Sequence, residues 1–206
     1  MFVVIEGIEG SGKSTLMSAL AHALRGVGHD VLMTREPGGT PLGDAVREIF
    51  LDRALAIGPM PETLLVNAAR AQHVCDVIRP ALAVGRMVLC DRFTDSTLAY
   101  QGYGRGLELE SLRTVCKIAV RDIEPNLTIL IDTPVSVARA RLRARGAAAD
   151  RIEREDDGFH ERVRRGFLAL AENSPSHRVI DGTLSQERIA AEALNVVRGA
   201  LAGRVS

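Results

Sequence analysis

One short segment near the start of the chain constrains the fold more than any other. It reads Gly7-Ile8-Glu9-Gly10-Ser11-Gly12-Lys13-Ser14-Thr15. The segment matches the pattern Gly-x4-Gly-Lys-Ser, follows an apolar run and opens into a stretch with helical periodicity. Glycines let successive backbone N–H groups turn inward, and the N-terminus of the following helix adds partial positive charge. A strand, a phosphate-binding loop (P-loop) and a helix are therefore predicted, with the nine residues above as a nucleotide-binding set.

Two side chains of the P-loop carry specific expectations. Lys13 is expected to reach the β and γ phosphates of a bound nucleotide, and the Ser14 hydroxyl is expected to ligate Mg²⁺. A second metal-binding group is predicted at Asp91, which ends a later apolar run and could hold Mg²⁺ through water. A nucleoside triphosphate and Mg²⁺ are thus the predicted ligands of this part of the chain.

Short β-rich runs alternate with helix-period segments along the chain, which is the pattern of a parallel sheet covered by helices on both faces. We predict an α/β fold of the P-loop NTPase type, with three layers and a central parallel sheet of about five strands. The strands are predicted near residues 2–6, 30–34, 87–91, 127–132 and 178–181. The helices are predicted near residues 13–27, 41–51, 61–84, 108–122, 134–145, 155–171 and 185–201, with Pro80 kinking or splitting the third.

Composition narrows the class of protein. No repeat or long linker divides the 206 residues, so residues 1–206 are predicted to form one domain. The 26 basic residues balance 26 acidic ones and aromatic residues are few, which argues against nucleic acid as a partner. No apolar run approaches the roughly 20 residues that span a bilayer. Glu6 interrupts the first apolar run, and the three cysteines lack paired spacing, so we expect a cytoplasmic protein with no membrane partner.

Two later loops follow the second and third predicted strands, at the edge of a parallel sheet where ligands bind. The first loop reads Thr34-Arg35-Glu36-Pro37-Gly38-Gly39-Thr40. Its guanidinium and its glycines, which allow close approach of a ligand, predict an anion site beside the P-loop. The second reads Cys90-Asp91-Arg92-Phe93-Thr94-Asp95-Ser96-Thr97-Leu98-Ala99-Tyr100-Gln101-Gly102. Opposite charges at its start indicate a metal and a phosphate close together.

In combination these motifs resemble those of bacterial thymidylate kinases. The similarity covers the P-loop, both later loops and an arginine-rich segment ending Asp150-Arg151-Ile152-Glu153, in order along essentially the whole chain. The resemblance implies transfer of the γ-phosphoryl group of ATP to dTMP, giving dTDP and ADP. It also implies a homodimer, which nothing else in the sequence indicates.

The resemblance implies a set of residues for dTMP. Arginines matching Arg35 and Arg92, with Arg47 nearby, would hold its 5′-phosphate, because fixed cations offset the repulsion between two phosphates. A carboxylate matching Glu9 approaches the deoxyribose 3′-hydroxyl. The residues expected at the base and sugar are Arg70, Thr97, Gln101, Tyr100, which crowds the 2′ position, and Glu36. Val66 departs from the pattern, since family members usually carry there a Phe that stacks on the thymine base. Without that ring, about 0.5–1.5 kcal/mol of stacking energy beyond simple burial is lost.

A lid is predicted near residues 142–154. Arginines four apart on a helix share a face, so Arg139 with Arg143 and Arg141 with Arg145 form two stripes, of which one can face the site. The family supplies a transition-state cation from the P-loop or from the lid, and this P-loop contains no arginine. Besides Lys13 and Arg92, the predicted catalytic residues are therefore Arg141, Arg145 and Arg151, with Arg143 as a rival.

Other functions stay open at this stage. Another deoxynucleoside-monophosphate kinase would keep every phosphate contact and change only the base pocket, where Val66 already deviates. A regulatory P-loop ATPase is a further alternative, although no Asn-Lys-x-Asp signature for guanine is present. The turn Asp181-Gly182-Thr183 either lies against the adenine or is a plain turn.

Overall fold

The computed structural model describes residues 1–146, 148–172 and 174–203 and contains the predicted parallel sheet. Its five strands lie in the order β2-β3-β1-β4-β5, and all four strand pairs are parallel. The strands are β1 (Phe2–Glu6), β2 (Val31–Arg35), β3 (Met87–Asp91), β4 (Leu127–Asp132) and β5 (His177–Asp181). The α/β prediction is confirmed, and strand bounds differ from the predicted ones by at most a residue.

From Phe2 to Ile5, the side chains of β1 point alternately to the two faces of the sheet and are apolar on both, which explains why helices cover both faces. Val3 and Ile5 pack into an apolar cluster with the first and last helices, whereas Phe2 and Val4 pack into a cluster on the opposite face. Successive side chains of a strand point to opposite faces, so a strand buried on both sides is apolar throughout. Each fully buried side chain of this size contributes about 1.5–3 kcal/mol.

The helices fall between the strands as predicted, with their ends shifted by one or two residues in most cases. The helices between β1 and β3 are α1 (Lys13–Gly26), α2 (Pro41–Leu51), α3 (Pro59–His73) and α4 (Arg79–Ala83). Those after β3 are α5 (Thr94–Thr97), α6 (Leu109–Val120), α7 (Val135–Arg145), α8 (Asp157–Glu172) and α9 (Gln186–Ala202).

The third predicted helix is divided, as Pro80 indicated. A π-helical turn, Val74–Ile78, separates α3 from α4, and Pro80 lies in the first turn of α4. Proline has no N–H to donate to the carbonyl four residues earlier, and its ring crowds that carbonyl. The wider π turn accommodates both effects.

The segment after β3 contains structure that the sequence did not predict. Residues 94–97 form α5, which continues into a π-helical turn, Leu98–Gly104. Glu6, a buried carboxylate on β1, accepts hydrogen bonds from the backbone N–H groups of Phe93 (2.8 Å) and Ser96 (3.2 Å). Burial raises the pKa of Glu6 to about 7, and Arg92 opposes that rise. The start of α5 is thus capped by a residue from another element.

The carboxyl ends of the strands bring the predicted loops together. The P-loop follows β1, and β3, whose end carries Asp91 and Arg92, pairs with both β1 and β2. Ligand sites in open parallel sheets lie at this edge. Within the described ranges, no helix combines the length and the apolar character needed to cross a bilayer.

Candidate active site

A cavity of about 550 Å³ opens at the carboxyl ends of β1, β2 and β3. Most of the side chains predicted to act in the site line it, from the P-loop, both later loops, α3 and α7. The predicted residues that line it are Glu9, Gly10, Gly12, Lys13, Ser14, Thr15, Arg35, Glu36, Arg47, Val66, Arg70, Asp91, Arg92, Thr97, Tyr100, Gln101, Arg141 and Arg145. Those outside its lining are Gly7, Ile8, Ser11, Arg143 and Arg151.

The P-loop has the backbone that a phosphate cradle requires. Gly10 has φ 77°, and a side chain there would place its Cβ 2.5 Å from the Ala138 carbonyl oxygen of α7. Only glycine permits both this conformation and this approach. Lys13 is buried, and its Nζ donates to the carbonyl oxygens of Gly7 and Ile8, both at 2.9 Å. Burial, assisted by Arg92, lowers the pKa of Lys13 to about 8.

Three guanidinium groups converge beside Lys13. Arg35 ends β2, Arg47 lies on α2 and Arg92 follows β3, and all three line the cavity. The pKa of Arg47 is lowered, first by burial and then by the charges of Arg35 and Arg92. The Arg35 guanidinium lies 3.8 Å from Asp44, and its side chain is more than half exposed. Cations that repel one another around one space form a site for an anion.

Arg92 is the most constrained of these cations. Its φ is 73°, in the left-handed region that non-glycine residues rarely adopt. It donates to the Gly7 carbonyl oxygen (3.0 Å), to Glu9 Oε1 (2.7 Å) and to the Tyr100 hydroxyl (3.0 Å). Its guanidinium carbon lies 4.9 Å from the centre of the Tyr100 ring. An unusual backbone conformation at a cavity, held by several contacts, indicates a functional position.

Glu9 connects the P-loop to the same group of side chains. The Tyr100 hydroxyl lies 2.7 Å from both of its carboxylate oxygens. Burial raises the pKa of Glu9, but Arg92 and Lys13 outweigh burial and the pKa is lowered. Glu9 therefore stays ionised, as an acceptor for a ligand hydroxyl.

Asp91 and Ser14 have the chemistry of a magnesium site. The Asp91 Oδ1 atom is buried and has no hydrogen-bond partner among the described residues. Both side chains line the cavity next to Lys13. Mg²⁺ prefers oxygen ligands, and an orphaned buried carboxylate oxygen is costly unless a cation or water satisfies it. The residues present therefore fit the ion.

The far end of the cavity is built around Arg70 on α3. This buried side chain donates to Glu36 Oε2 (2.6 Å), Asn67 Oδ1 (2.8 Å), Thr97 Oγ1 (2.9 Å) and the Phe93 carbonyl oxygen (2.8 Å). Glu36 is itself buried and also contacts His73 Nδ1 at 2.9 Å. So many partners hold the guanidinium in one orientation.

Gln101, Tyr100 and Val66 complete this end of the cavity. Gln101 is buried in the π turn, and its amide Nε2 donates to Glu62 Oε1 at 2.6 Å. Val66 packs with Phe50 and Tyr100 in one apolar cluster. The Tyr100 ring meets Phe159 and Phe167 edge-on, so its position is fixed by α8.

The lid arginines divide as helical spacing predicted. Arg141 and Arg145, one stripe of α7, line the cavity. Arg141 donates to the Gly182 carbonyl oxygen at 2.8 Å, and Arg145 donates to Glu153 Oε1 at 2.9 Å. Arg139, of the other stripe, binds Asp157 at 3.0 Å instead.

Two further lid candidates lie elsewhere. Arg143 is exposed and outside the cavity lining. Arg151 is also outside the cavity lining, and its Nη1 donates to the buried Glu62 at 2.7 Å. The predicted lid also includes Ala147, which lies outside the described residues.

Several lining residues were given no role of their own, although six of them lie in the two predicted loops or in the predicted lid. They are Pro37, Phe50, Leu51, Ser96, Leu142, Asp150, Ile152, Glu153 and Gln186. Gln186 begins α9 shortly after the turn that contains Gly182, so the position of that turn after the last strand could have predicted a lining residue here. Phe50 belongs to an ordinary amphipathic helix, and nothing local distinguishes it from a core residue.

A P-loop fold with seven cationic side chains lining one crevice, and with a hydrogen-bonding pocket at its far end, is the arrangement expected of a nucleoside-monophosphate kinase. The family model described as Thymidylate kinase matches residues 5–193. The chain is 52% identical over 190 residues to a thymidylate kinase of Thermomicrobium roseum, covering 92% of this chain and 90% of that protein. It is 50% identical over 204 residues to one of Geobacter sulfurreducens, covering 95% of each. The chain belongs to the thymidylate kinase family.

A solved structure supports the same assignment. The crystal structure of a thymidylate kinase from Ehrlichia chaffeensis superposes with a TM-score of 0.78 at 33% identity, covering 96% of this chain and 98% of that one. Near-complete coverage in both directions means that the two chains share one fold along almost their whole length.

Proposed function

We propose that this enzyme transfers the γ-phosphoryl group of ATP to dTMP, giving ADP and dTDP. The observation that carries the proposal is the convergence of Arg35, Arg47 and Arg92 on a space adjoining the P-loop lysine. Two polyanions brought end to end repel each other, and fixed cations offset that repulsion without reorganising during the reaction. The arrangement therefore supports two phosphorylated substrates in one crevice.

On the donor side, the P-loop N–H groups and Lys13 hold the β and γ phosphates of ATP. Arg141 and Arg145 reach into the cavity from the lid, where cations stabilise charge on the transferring group. In this proposal Arg141 and Arg145 are the catalytic lid residues. Arg143 and Arg151 lie outside the cavity and do not contact the transferring group.

On the acceptor side, an oxygen of the dTMP phosphate attacks the γ-phosphorus. A bond forms between these two atoms as the bond from the γ-phosphorus to the bridging oxygen of ADP breaks. The second pKa of a phosphate monoester is about 6, so the nucleophile is largely ionised at neutral pH and needs no general base. Arg35, Arg47 and Arg92 orient that phosphate.

Ser14 and Asp91 would hold Mg²⁺, directly or through water. When bound, the ion neutralises charge on the β and γ phosphates and fixes their orientation. The partnerless Asp91 oxygen supports this assignment.

The deoxyribose and the base occupy the other half of the cavity. Glu9 accepts from the 3′-hydroxyl, and Tyr100, held between Arg92 and Glu9, fills the space that a 2′-hydroxyl would need. Arg70, Thr97 and Gln101 supply donors and acceptors to the base, and Glu36 orients Arg70. Val66 supplies an apolar wall in place of an aromatic one.

A panel of acceptors tests this assignment. With ATP and Mg²⁺, ADP formation is measured for dTMP, dUMP, dGMP and CMP, and dTMP is expected to have the highest kcat/KM by about tenfold or more. Val66 favours the second candidate, a kinase for another deoxynucleotide, because base stacking is where this pocket departs from the family. A preference for dUMP or dGMP would establish that candidate, and a preference for CMP would indicate a ribonucleotide kinase. Rapid ATP hydrolysis without any monophosphate would instead indicate a regulatory ATPase.

We further propose that the enzyme is a homodimer, joined through α2, α3 and α6. These neighbouring helices leave large apolar side chains exposed, including Ile49 (42%), Leu64 (53%) and Ile118 (72%). Apolar groups at this exposure on adjacent helices are typical of an interface. Sedimentation is expected to give twice the 22.2 kDa chain mass for the wild type and about one chain mass for Ile118→Glu. A monomeric wild type would refute the dimer.

We place the reaction in the cytoplasm. Cys75 is exposed, Cys90 and Cys116 are buried, and all three are free thiols. Free thiols persist where glutathione and thioredoxin keep them reduced.

A further inference from the structure

Glu62 is a buried carboxylate in the first turn of α3 that does not line the cavity. Its side chain has no exposed surface, yet it accepts hydrogen bonds from three side chains. Gln101 Nε2 lies at 2.6 Å, Arg151 Nη1 at 2.7 Å and Arg105 Nη2 at 3.3 Å. No role in binding or chemistry described above uses this residue.

The three donors come from different parts of the site. Gln101 belongs to the π turn and lines the cavity, Arg105 follows that turn, and Arg151 belongs to the lid. Removing one partner of a buried ion pair leaves an uncompensated charge, which costs several kcal/mol. The charge of Glu62 and the charges of Arg105 and Arg151 are therefore tolerated at this buried position only because they compensate one another.

On the lid side, the network holds residues 151–155 at both ends of that short stretch. Arg151 Nε donates to the Phe50 carbonyl oxygen at 2.8 Å, and its guanidinium carbon lies 4.9 Å from the centre of the Phe50 ring. Arg105 binds Glu155 at 2.7 Å and lies 4.6 Å from the centre of the Phe159 ring. Between these attachments, Ile152 and Glu153 line the cavity, so the network determines where that wall lies.

On the cavity side, Glu62 determines which way the Gln101 amide faces. An ionised carboxylate only accepts hydrogen bonds, so the amide nitrogen must face Glu62. The amide oxygen is then directed away from Glu62. A flipped amide would place two oxygens in contact and lose the 2.6 Å hydrogen bond.

We propose that Glu62 is a positioning residue: it orients the Gln101 amide for the base of the acceptor and, through Arg151 and Arg105, holds residues 150–155 of the lid against the cavity. Base recognition and lid placement then depend on one buried carboxylate. The inference rests on the proposed function for the identity of the acceptor, whereas the attachment of the lid can be tested without any substrate.

The principal test is Glu62→Gln, which preserves side-chain size and removes the charge. KM for dTMP is expected to rise about 10- to 100-fold, the change that corresponds to losing a hydrogen bond to a charged group. KM for ATP should change by no more than about twofold. Hydrogen exchange followed by mass spectrometry, without ligands, should show amides of residues 150–155 exchanging at least about tenfold faster.

Two further variants separate positioning from simple stabilisation. Arg151→Met cuts only the attachment to the lid, so exchange of residues 150–155 should accelerate while KM for dTMP changes less than in Glu62→Gln. Asp132→Asn breaks another carboxylate–guanidinium pair, with Arg164 at 2.6 Å, which is partly exposed and lies outside the cavity. This control should lower the melting temperature and leave both KM values and lid exchange unchanged.

The proposal is overturned if folded Glu62→Gln keeps the wild-type KM for dTMP and wild-type lid protection, even if its melting temperature falls. If Glu62→Gln does not fold, unchanged lid exchange in Arg151→Met overturns it in the same way. Failure of the proposed function is a separate result: wild-type enzyme would not use dTMP, and the exchange measurements would still decide the attachment of the lid.

Discussion

Lys13→Ala is expected to lower kcat for phosphoryl transfer by about 10³-fold, the loss typical of removing a preorganised group that stabilises developing charge. The ammonium group is held by two backbone carbonyl oxygens of the P-loop, at 2.9 Å each, so its position is set before ATP binds. The fold should survive, because the loss of two charge-assisted hydrogen bonds, about 1.5–3 kcal/mol each, is offset by no longer burying an ammonium group. ADP production and the thermal melting curve measure the two effects.

The chain offers a matched control, because Lys117 is the only other lysine in the sequence. Lys117 is exposed on α6 and lies outside the cavity lining, so Lys117→Ala should keep wild-type turnover. Near-normal turnover of Lys13→Ala would contradict the role given to the P-loop lysine.

The titration of Lys13 is also expected to lower the activity of the wild-type enzyme at alkaline pH. Burial lowers the pKa of Lys13 to about 8, so the ammonium form dominates below that pH and is lost above it. kcat/KM for ATP reports the free enzyme and should fall about tenfold per pH unit above pH 8. kcat at saturating ATP should persist to higher pH, because bound phosphates stabilise the ammonium. A flat kcat/KM profile up to about pH 10 would disagree with this assignment.

The sequence predicted the parts of the site that local pattern determines. The P-loop is contiguous, and Arg35 and Asp91 end neighbouring parallel strands, so their meeting follows from the topology of the sheet. Arg141 and Arg145 were separated from Arg139 and Arg143 by helical spacing alone. In each case the position of the side chain is set by residues a few places away in the chain, or by the rule that the carboxyl ends of parallel strands lie at one edge of the sheet.

What the sequence did not predict depends on partners far along the chain. Arg151 lies beyond the end of α7, where periodicity gives no direction, and its partner Glu62 is 89 residues away. The helix α5 escaped prediction because its N-terminus is capped by Glu6, 87 residues before Phe93. Motif reading assigns residue types to a loop, whereas the fold decides which of them face the ligand and which support their neighbours.

Arg92→Ala is expected to reduce kcat/KM for dTMP by about 10²- to 10³-fold, because truncating a buried, hydrogen-bonded charge costs about 2–5 kcal/mol. Arg92 is the only side chain that contacts Gly7 O, Glu9 and Tyr100 together among the described hydrogen bonds. Its loss removes a cation from the acceptor phosphate and releases Tyr100 from one of its two polar partners. KM for ATP should change by less than about threefold, since Lys13 and the P-loop remain.

Arg92→Lys separates charge from geometry. An ammonium group keeps the positive charge but lacks the planar fork, so it cannot bridge Glu9 and the Gly7 carbonyl while facing a phosphate. The lysine variant should therefore retain more activity with dTMP than the alanine variant and less than the wild type. Steady-state kinetics with each substrate varied in turn measure this order. A defect in Arg92→Ala confined to ATP affinity would mean that Arg92 serves the donor, and the assignment of the acceptor phosphate would then rest on Arg35 and Arg47 alone.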